Sequence, residues 1–347
     1  MQAAVQIGYG AVDEAIVVRE VPTPAPGPGE VLVRVAGATV NRKDLFALQN
    51  LTGPGIRPRA PLPHVGGADG WGEIAAIGPQ TSGWAIGERV VVYPGLHCGT
   101  CEWCLRGEQS ACVCYGVLGE QGPGCHAECV VVPVRNLERV PPDVRSEDLA
   151  AACASWLTAW RALIGVAHVR PGETLLVVGA SGGVGTGAIR IGALAGCRVI
   201  AAIRGPARAR RAIEIGAEAV VDCEAEDFDA RVRELTGGRG ADVVLDSVGA
   251  ATWRRSINAT APFGRMVICG ATSGDRPDIS VREIYQYHRR ILGAPLGSRA
   301  DLRDLLRAIA AGKLAPVVHA VYPLSAVREA LRALESRTVF GKIVLAP

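Results

Sequence analysis

The sequence predicts an α/β protein in two parts, a β-rich domain and a doubly wound parallel sheet covered by helices. Three observations predict this class. Over the first 150 residues, short apolar runs such as Glu30-Val-Leu-Val-Arg-Val35 and Arg89-Val-Val-Val-Tyr93 are separated by glycine and proline, with little helical periodicity. From Leu149 onward the pattern changes to alternating strands and helices, which implies a mostly parallel sheet. Inside that second region, Leu175 to Gly192 reads as a buried strand, a glycine turn and a helix.

The elements follow in chain order. Glu30 to Val35 and Arg89 to Tyr93 are strands of the first domain. Leu175 to Val178 is a short apolar run, and the turn after it carries Gly179, Ser181, Gly182, Gly183, Val184 and Gly185. Glycines at 179, 182 and 185 let the backbone turn sharply and approach a ligand, and the N-terminus of the next helix favours phosphate charge. A dinucleotide pyrophosphate suits that arrangement, because Cys197 to Ala202 supplies the next strand at the length of a βαβ unit. A helix near Ala207–Ile215, a strand Ala219–Asp222, a helix near Phe228–Leu235 and strands at Asp242–Asp246 and Arg265–Cys269 continue the alternation. Beyond Gly297 come a helix near Ala300–Ala311, a strand near Val317, a helix near Ala326–Leu334 and a closing strand, Val339–Leu345. This tail is too small to fold alone, so it is expected to return to the first domain. The expected division is 1–154 with 297–347 for the β-rich domain, and 155–296 for the dinucleotide-binding domain.

Composition limits the function classes. At 347 residues, 49% hydrophobic and 20% charged, the chain is that of an ordinary globular protein. A net charge of +3, with no basic run interleaved with aromatics, gives no reason to expect nucleic-acid or membrane partners. Met1 to Tyr9 lacks a charged segment followed by an apolar core, and no apolar run approaches the ~20 residues of a membrane span, so a cytoplasmic protein is expected.

Of the eleven cysteines, four are clustered as Cys98-x2-Cys101-x2-Cys104-x7-Cys112. Four thiolates at that spacing close a tetrahedral shell around Zn²⁺ within one short lobe, 95–115. A closed four-sulfur shell leaves no open position for water or substrate, so one structural zinc per chain is expected. Cys114, two residues on, is positioned to interfere or substitute. The other six are scattered among small or apolar neighbours, where cysteine behaves as a buried hydrophobe. Cys153, just before the cofactor domain, is the least certain of them.

The cysteine spacing, the loop Gly179–Gly185 and the closing Phe340-Gly-Lys-Ile-Val-Leu345 together resemble the medium-chain dehydrogenase/reductase superfamily over essentially the whole chain. The resemblance implies a Rossmann domain joined to a GroES-like catalytic domain, and a homodimer or homotetramer. Its zinc alcohol dehydrogenases hold a catalytic zinc by a cysteine, a histidine and a further cysteine or acid. Here the first position is Asn41, in Asn41-Arg42-Lys43-Asp44, the second is Ala68, in Gly67-Ala68-Asp69, and the third falls near Ala154. An amide is a poor zinc ligand, and alanine is none. The segment ending Leu157-Thr158-Ala159-Trp160 is closer to the quinone oxidoreductase form. A rearranged metal site drawn from Asp44, His64, Asp69 and Cys153 remains a second possibility.

Without a metal as Lewis acid, reduction of an isolated carbonyl loses its main source of oxyanion stabilisation. A conjugated carbonyl is easier: hydride adds at the β-carbon, hydrogen-bond donors stabilise the enolate and a proton reaches the α-carbon. The resemblance then implies reduction of an enone or quinone. Lys43 stands at the family's proton-relay position, Asn41 is a candidate donor to substrate or nicotinamide, and Thr158 matches a threonine beside the nicotinamide. Arg42 matches an arginine that reaches the pyrophosphate, and Cys269, Gly270, Ala271, Ala294 and Leu296 match the backbone around the carboxamide.

NAD-selective members carry an acid at the end of the second strand, where this chain has Ile203 followed by Arg204 and, further on, Arg208. Guanidinium groups there suit a 2′-phosphate, so NADPH is expected over NADH. Two other readings stay open: a zinc-dependent alcohol dehydrogenase or carbonyl reductase with substituted ligands, and a cofactor-binding protein without turnover.

Overall fold

The structure is a computed structural model that describes residues 1–51 and 57–347. The chain divides into two compact units, Met1–Ala154 with Ser298–Pro347, and Ser155–Gly297.

The second unit is built on a six-stranded sheet ordered Ala219–Asp222, Arg198–Ile203, Thr174–Val178, Ala241–Asp246, Thr260–Ile268 and Arg290–Gly293, with every pairing parallel. In chain order this is 3-2-1-4-5-6, so the connections reverse direction between Thr174–Val178 and Ala241–Asp246 and open a crevice at their carboxyl ends. Strand Thr174–Val178 is buried along its whole length, as a central strand covered on both faces must be, and each such aliphatic side chain contributes about 1.5–3 kcal/mol. Helix Gly183–Leu194 follows it, with Gly182 as N-cap. Gly187 on that helix lies against Trp156, where a Cβ would come within 3.0 Å of the ring.

Three features depart from the sequence pattern. Strand Thr260–Ile268 begins five residues before the expected Arg265, because Ala241 also pairs with Thr260 across an irregularity in the ladder. Helix Ala154–Trp160 runs into a wider π turn, Arg161–Val166, and helix Ala250–Ala259 starts at Gly249 without a capping side chain. Neither has the Ser/Thr/Asp start signal that makes a helix visible in sequence.

In the first unit, a seven-stranded sheet runs Leu137–Arg139, Arg89–Val92, Asp69–Ile77, Glu30–Val40, Lys342–Ala346 and Val318–Pro323, with Cys129–Pro133 also paired to Glu30–Val40. The returning tail therefore supplies the strand beside the central one: Ile343 to Leu345 pair with Val40 to Ala38. This closing strand starts at Lys342 rather than Val339, since Gly341 turns with φ +97° and a Cβ there would meet the Val317 carbonyl oxygen at 2.0 Å. A short helix, Arg42–Leu48, interrupts the β-rich pattern directly after Glu30–Val40. Asn41 and Asp44 start it through a capping box, a signal present in the sequence at i, i+3 but too short for helical periodicity to register. Among the described residues no single helix is long and apolar enough to cross a membrane.

Candidate active site

The residues expected to hold a dinucleotide lie at the carboxyl ends of the parallel strands. Gly179 leaves Thr174–Val178 with φ +78°, and a Cβ there would press on Ser247 Oγ at 2.9 Å and Val248 at 3.0 Å. Gly182 and Gly185 differ in what they permit. A Cβ on Gly185 would strike the Gly179 oxygen at 2.4 Å and Ala180 Cα at 2.5 Å, so this glycine lets helix and strand pack. A Cβ on Gly182 would meet nothing closer than 3.6 Å, and its φ of −74° is open to any residue. No protein atom demands glycine at 182, which leaves room beside the first-turn N–H groups for a phosphate. Ser181, Gly183 and Val184 complete that turn, each partly exposed.

Cys269, Gly270 and Ala271 follow strand Thr260–Ile268, and Ala294 follows Arg290–Gly293 with its N–H donating to the Ile268 carbonyl at 2.9 Å. Leu296 sits at φ +42° in the same turn. Gly270 is fixed by close packing, since a Cβ would meet the Ser247 oxygen at 2.6 Å. Thr158 is buried in helix Ala154–Trp160. Asp246, fully buried, organises the switch-point loop: its carboxylate accepts from Val248 N, Gly249 N, Thr252 Oγ1 and Ser256 Oγ at 2.6–3.0 Å.

At the turn after Arg198–Ile203, acids from the following strand and its loop stand beside the arginine. Arg204 lies 3.7 Å from Glu224, and Asp222 accepts from Gly205 N at 3.3 Å. Asp222 ends the neighbouring parallel strand in register with Ile203, so a carboxylate absent from this stretch of sequence arrives from the next strand. Arg208 lies on helix Pro206–Glu214.

In the first unit, the positions matched to the catalytic-zinc ligands converge on one buried carboxylate. Asp69 accepts from Thr39 Oγ1 at 2.6 Å, Asn41 Nδ2 at 2.7 Å and the Ala154 N–H at 2.6 Å, and Lys342 Nζ lies 3.6 Å away. Burial pushes the Asp69 carboxyl up, but the Lys342 ammonium and the hydrogen bonds from Asn41, Thr39 and Ala154 hold it below the usual carboxylate value. Lys342 Nζ in turn donates to Asn41 Oδ1 at 2.7 Å and to the Val40 carbonyl at 3.3 Å. Both ends of the Asn41 amide are therefore engaged within the protein. Within this cluster the Asn41 amide makes an orienting contact.

Lys43 pairs with Glu120 at 3.0 Å, both partly exposed. Arg42 opens helix Arg42–Leu48, and burial and the nearby Arg337 lower its guanidinium pKa against a smaller opposing effect of Glu335. Asp44 donates no metal ligand: one oxygen accepts from Asn41 N at 2.7 Å, and burial pushes its carboxyl up against the pull of His126 and Lys43. His64 Nε2 faces the Gly119 carbonyl at 3.2 Å, and burial lowers its pKa. Cys153 Sγ points at the Leu149 carbonyl, 3.7 Å away, and burial raises its thiol well above the ordinary range. Asp44, His64, Asp69 and Cys153 are each engaged within the protein, with Asn41 contacting both Asp44 and Asp69. Among the described residues they form no cluster able to hold a metal, so the rearranged metal site is corrected. The donor set at 41, 68 and 154 does not fit a catalytic zinc either.

The four-cysteine lobe does fit a metal. Its Sγ atoms all lie within 4.8 Å of one another, with Cys98–Cys104 at 3.9 Å and Cys98–Cys112 at 3.6 Å. A tetrahedral shell with Zn–S of about 2.3 Å requires sulfur–sulfur edges of about 3.8 Å. Backbone N–H groups of Thr100 and Cys101 donate to Cys98 Sγ, and with Thr100 and Cys112 side-chain contacts they lower its thiol to about 5. These contacts favour the thiolate, the form that binds metal, at Cys98, while burial pushes the Cys104 thiol up. Cys114 is exposed and outside the group; its N–H donates to Cys112 Sγ at 3.3 Å.

Lys342, Thr39, Glu120 and Asp222 are the site residues that sequence reasoning missed. Lys342 had a signal, a lone charge inside an apolar closing run. The other three become visible only through strand pairing and loop contacts.

Residues 27–142 match the model of the alcohol dehydrogenase GroES-like domain, and residues 183–311 that of the zinc-binding dehydrogenase family. An acryloyl-coenzyme A reductase of Metallosphaera sedula is 30% identical over 94% of this chain and 95% of its own length. An NAD-dependent alcohol dehydrogenase of Saccharolobus solfataricus is 29% identical over 97% and 98%. A crystal structure of an NAD-dependent alcohol dehydrogenase superposes with a TM-score of 0.93 at 42% identity, covering 100% of both chains. With a GroES-like unit, a parallel-sheet unit with strand order 3-2-1-4-5-6 and a four-cysteine lobe, this chain belongs to the medium-chain dehydrogenase/reductase superfamily, as an oxidoreductase.

Proposed function

We propose that the chain is an NADPH-dependent reductase of conjugated carbonyl compounds, with one structural zinc and no catalytic metal. The observation that carries this reading is the polar cluster at positions 41, 68 and 154, where Asn41 and the Ala154 N–H bind Asp69 and no metal-ligand set remains. With no Lewis acid at the carbonyl, the acceptor must spread its own charge, and conjugation provides that. The acryloyl-coenzyme A reductases among the relatives support the same acceptor class and add enoyl thioesters to enones and quinones.

Bound NADPH supplies the hydride. The Gly182–Gly185 turn would hold its pyrophosphate, Arg204 and Arg208 would hold its 2′-phosphate, and Thr158 and the backbone at Cys269–Ala271 and Ala294–Leu296 would orient its nicotinamide; Arg42 is a further pyrophosphate candidate by the resemblance. Arg204 gives up an exposed 3.7 Å contact to Glu224 when it turns to phosphate, a contact worth little in water. The Lys43 ammonium, paired with Glu120 at 3.0 Å, would stabilise developing enolate charge and deliver a proton to the α-carbon. The working form is a homodimer or homotetramer in the cytoplasm.

The test is a rate panel on protein of known zinc content, with NADPH and NADH against an acryloyl thioester, an enone, a quinone and a saturated aldehyde. Turnover of conjugated acceptors at about one zinc per chain is expected. About two zinc per chain, with chelator-sensitive aldehyde reduction, overturns it in favour of a metal-dependent dehydrogenase. Binding of NADPH without oxidation across the panel favours a cofactor-binding protein. For the cofactor, Arg204→Ala should raise KM for NADPH about tenfold and leave NADH unchanged. Asp222 at the same turn favours the competing choice of NADH, and equal effects of Arg204→Ala on both cofactors would support it.

A further inference from the structure

The closing strand Lys342–Ala346 carries one charged side chain, Lys342, and buries it to 3% exposure. A buried ammonium is costly unless paired and hydrogen-bonded, and a buried ion pair is in general no more stabilising than well-packed apolar groups. Strand pairing alone does not call for a lysine here. Its three contacts point elsewhere: Asn41 Oδ1 at 2.7 Å, the Val40 carbonyl at 3.3 Å and Asp69 Oδ2 at 3.6 Å. Two of these partners, Val40 and Asn41, form the junction between strand Glu30–Val40 and helix Arg42–Leu48.

The geometry points to Lys342 as a positioning residue of this site: its ammonium fixes the Asn41 amide and the start of the helix bearing Arg42 and Lys43. The amide of Asn41 has two possible orientations, and the cluster allows one. Oδ1 faces the ammonium and Nδ2 faces the Asp69 carboxylate at 2.7 Å, so charge on each side selects the flip. Asn41 is also the N-cap, with its N–H donating to Asp44 Oδ2 at 2.7 Å, so its placement sets where the helix begins. Ala154 N–H and Thr39 Oγ1 add to the shell of Asp69, and the Lys342–Asp69 pair is net neutral. Lys342 touches no reacting atom in this scheme; it acts through Asn41.

The role rests on the proposed reduction for its kinetic readout, and hydrogen–deuterium exchange over residues 41–48 gives a readout that does not. Lys342→Met should lower kcat about 100-fold, the size of effect expected when reacting groups move by about 1 Å, while KM for NADPH changes less than about threefold. Exchange over residues 41–48 should rise in the same protein, with residues 174–203 unchanged. Lys342→Arg, which keeps the cation, should recover kcat to within about tenfold of the original. Because Lys342→Met leaves Asp69 unpaired and endangers folding, the double variant Asp69→Asn/Lys342→Met removes both charges and should fold. A slow double variant with raised exchange supports the positioning role. A double variant with original kcat and exchange overturns it, since Lys342 would then serve only to neutralise Asp69. Native kcat and unchanged exchange in folded Lys342→Met overturn it as well. If the unmodified protein reduces no acceptor, the functional reading fails and the exchange result alone decides the role of Lys342.

Discussion

Arg265 and Glu173 show how single side chains hold the second unit together. Arg265, on a strand of the parallel sheet paired on both sides, donates to Glu173 at 2.7 and 2.9 Å and to the carbonyls of Ala167 and His168 at 2.5 and 3.2 Å. One guanidinium thereby ties strand Thr260–Ile268 to the loop after the π turn. Burial pushes the Glu173 carboxyl up, but Arg265 and the Arg170 N–H outweigh it and leave it below its usual value of 4.5. A carboxylate lowered in the folded state adds stability that is complete above the ordinary value and is lost as pH falls through the folded one. Glu173→Gln should therefore cost about 1–3 kcal/mol at neutral pH and flatten the acid side of the stability curve. Thermal melts of both proteins from pH 7 to pH 3 check this, and parallel curves would count against it.

Among elements, the glycine turn before helix Gly183–Leu194 separates packing from binding. Gly185→Ala forces a Cβ to 2.4 Å from a backbone oxygen, so helix and strand must move apart, at a cost of roughly 1–3 kcal/mol in stability. Gly182→Ala places its Cβ in ordinary contact with the Gly179 oxygen at 3.6 Å and should leave the melting temperature within about 2 °C, yet raise KM for the nicotinamide cofactor about tenfold. The pair is read by calorimetry alongside cofactor titration. If Gly182→Ala binds cofactor normally, the phosphate is not held at that turn.

For the molecule as a whole, two kinds of cohesion meet in the first unit. Its apolar core takes residues from both ends of the chain, from Ala4 to Leu345, through the strand added by the tail. The cysteine lobe stands outside that core: between Leu96 and Leu118 no described residue belongs to it, and Leu105 and Val113 are exposed. Thiolate–metal bonds must supply what burial does not. Cys101→Ser should drop bound zinc well below one per chain and lower the melting temperature by several degrees. Full zinc retention, or zinc loss with an unchanged melt, would show that the lobe needs no metal.

The sequence by itself determined most of the alternating strands and helices of the second unit, the glycine turn and the cysteine shell, because each rests on residues close in the chain: apolar periodicity, three-residue glycine spacing, thiols within fifteen positions. It also placed Asn41, Ala68 and Ala154 where metal ligands stand in related dehydrogenases. What those substitutions create was decided only by tertiary structure. Asn41, Asp69, Ala154 and Lys342 are separated by as many as 301 positions and meet because the tail strand pairs with Glu30–Val40. The acid beside Arg204 has the same origin, since Asp222 reaches that turn through the register of two parallel strands. Strand pairing brings side chains from distant stretches of sequence together, and hydrogen-bond partners chosen at that range leave no local pattern to read.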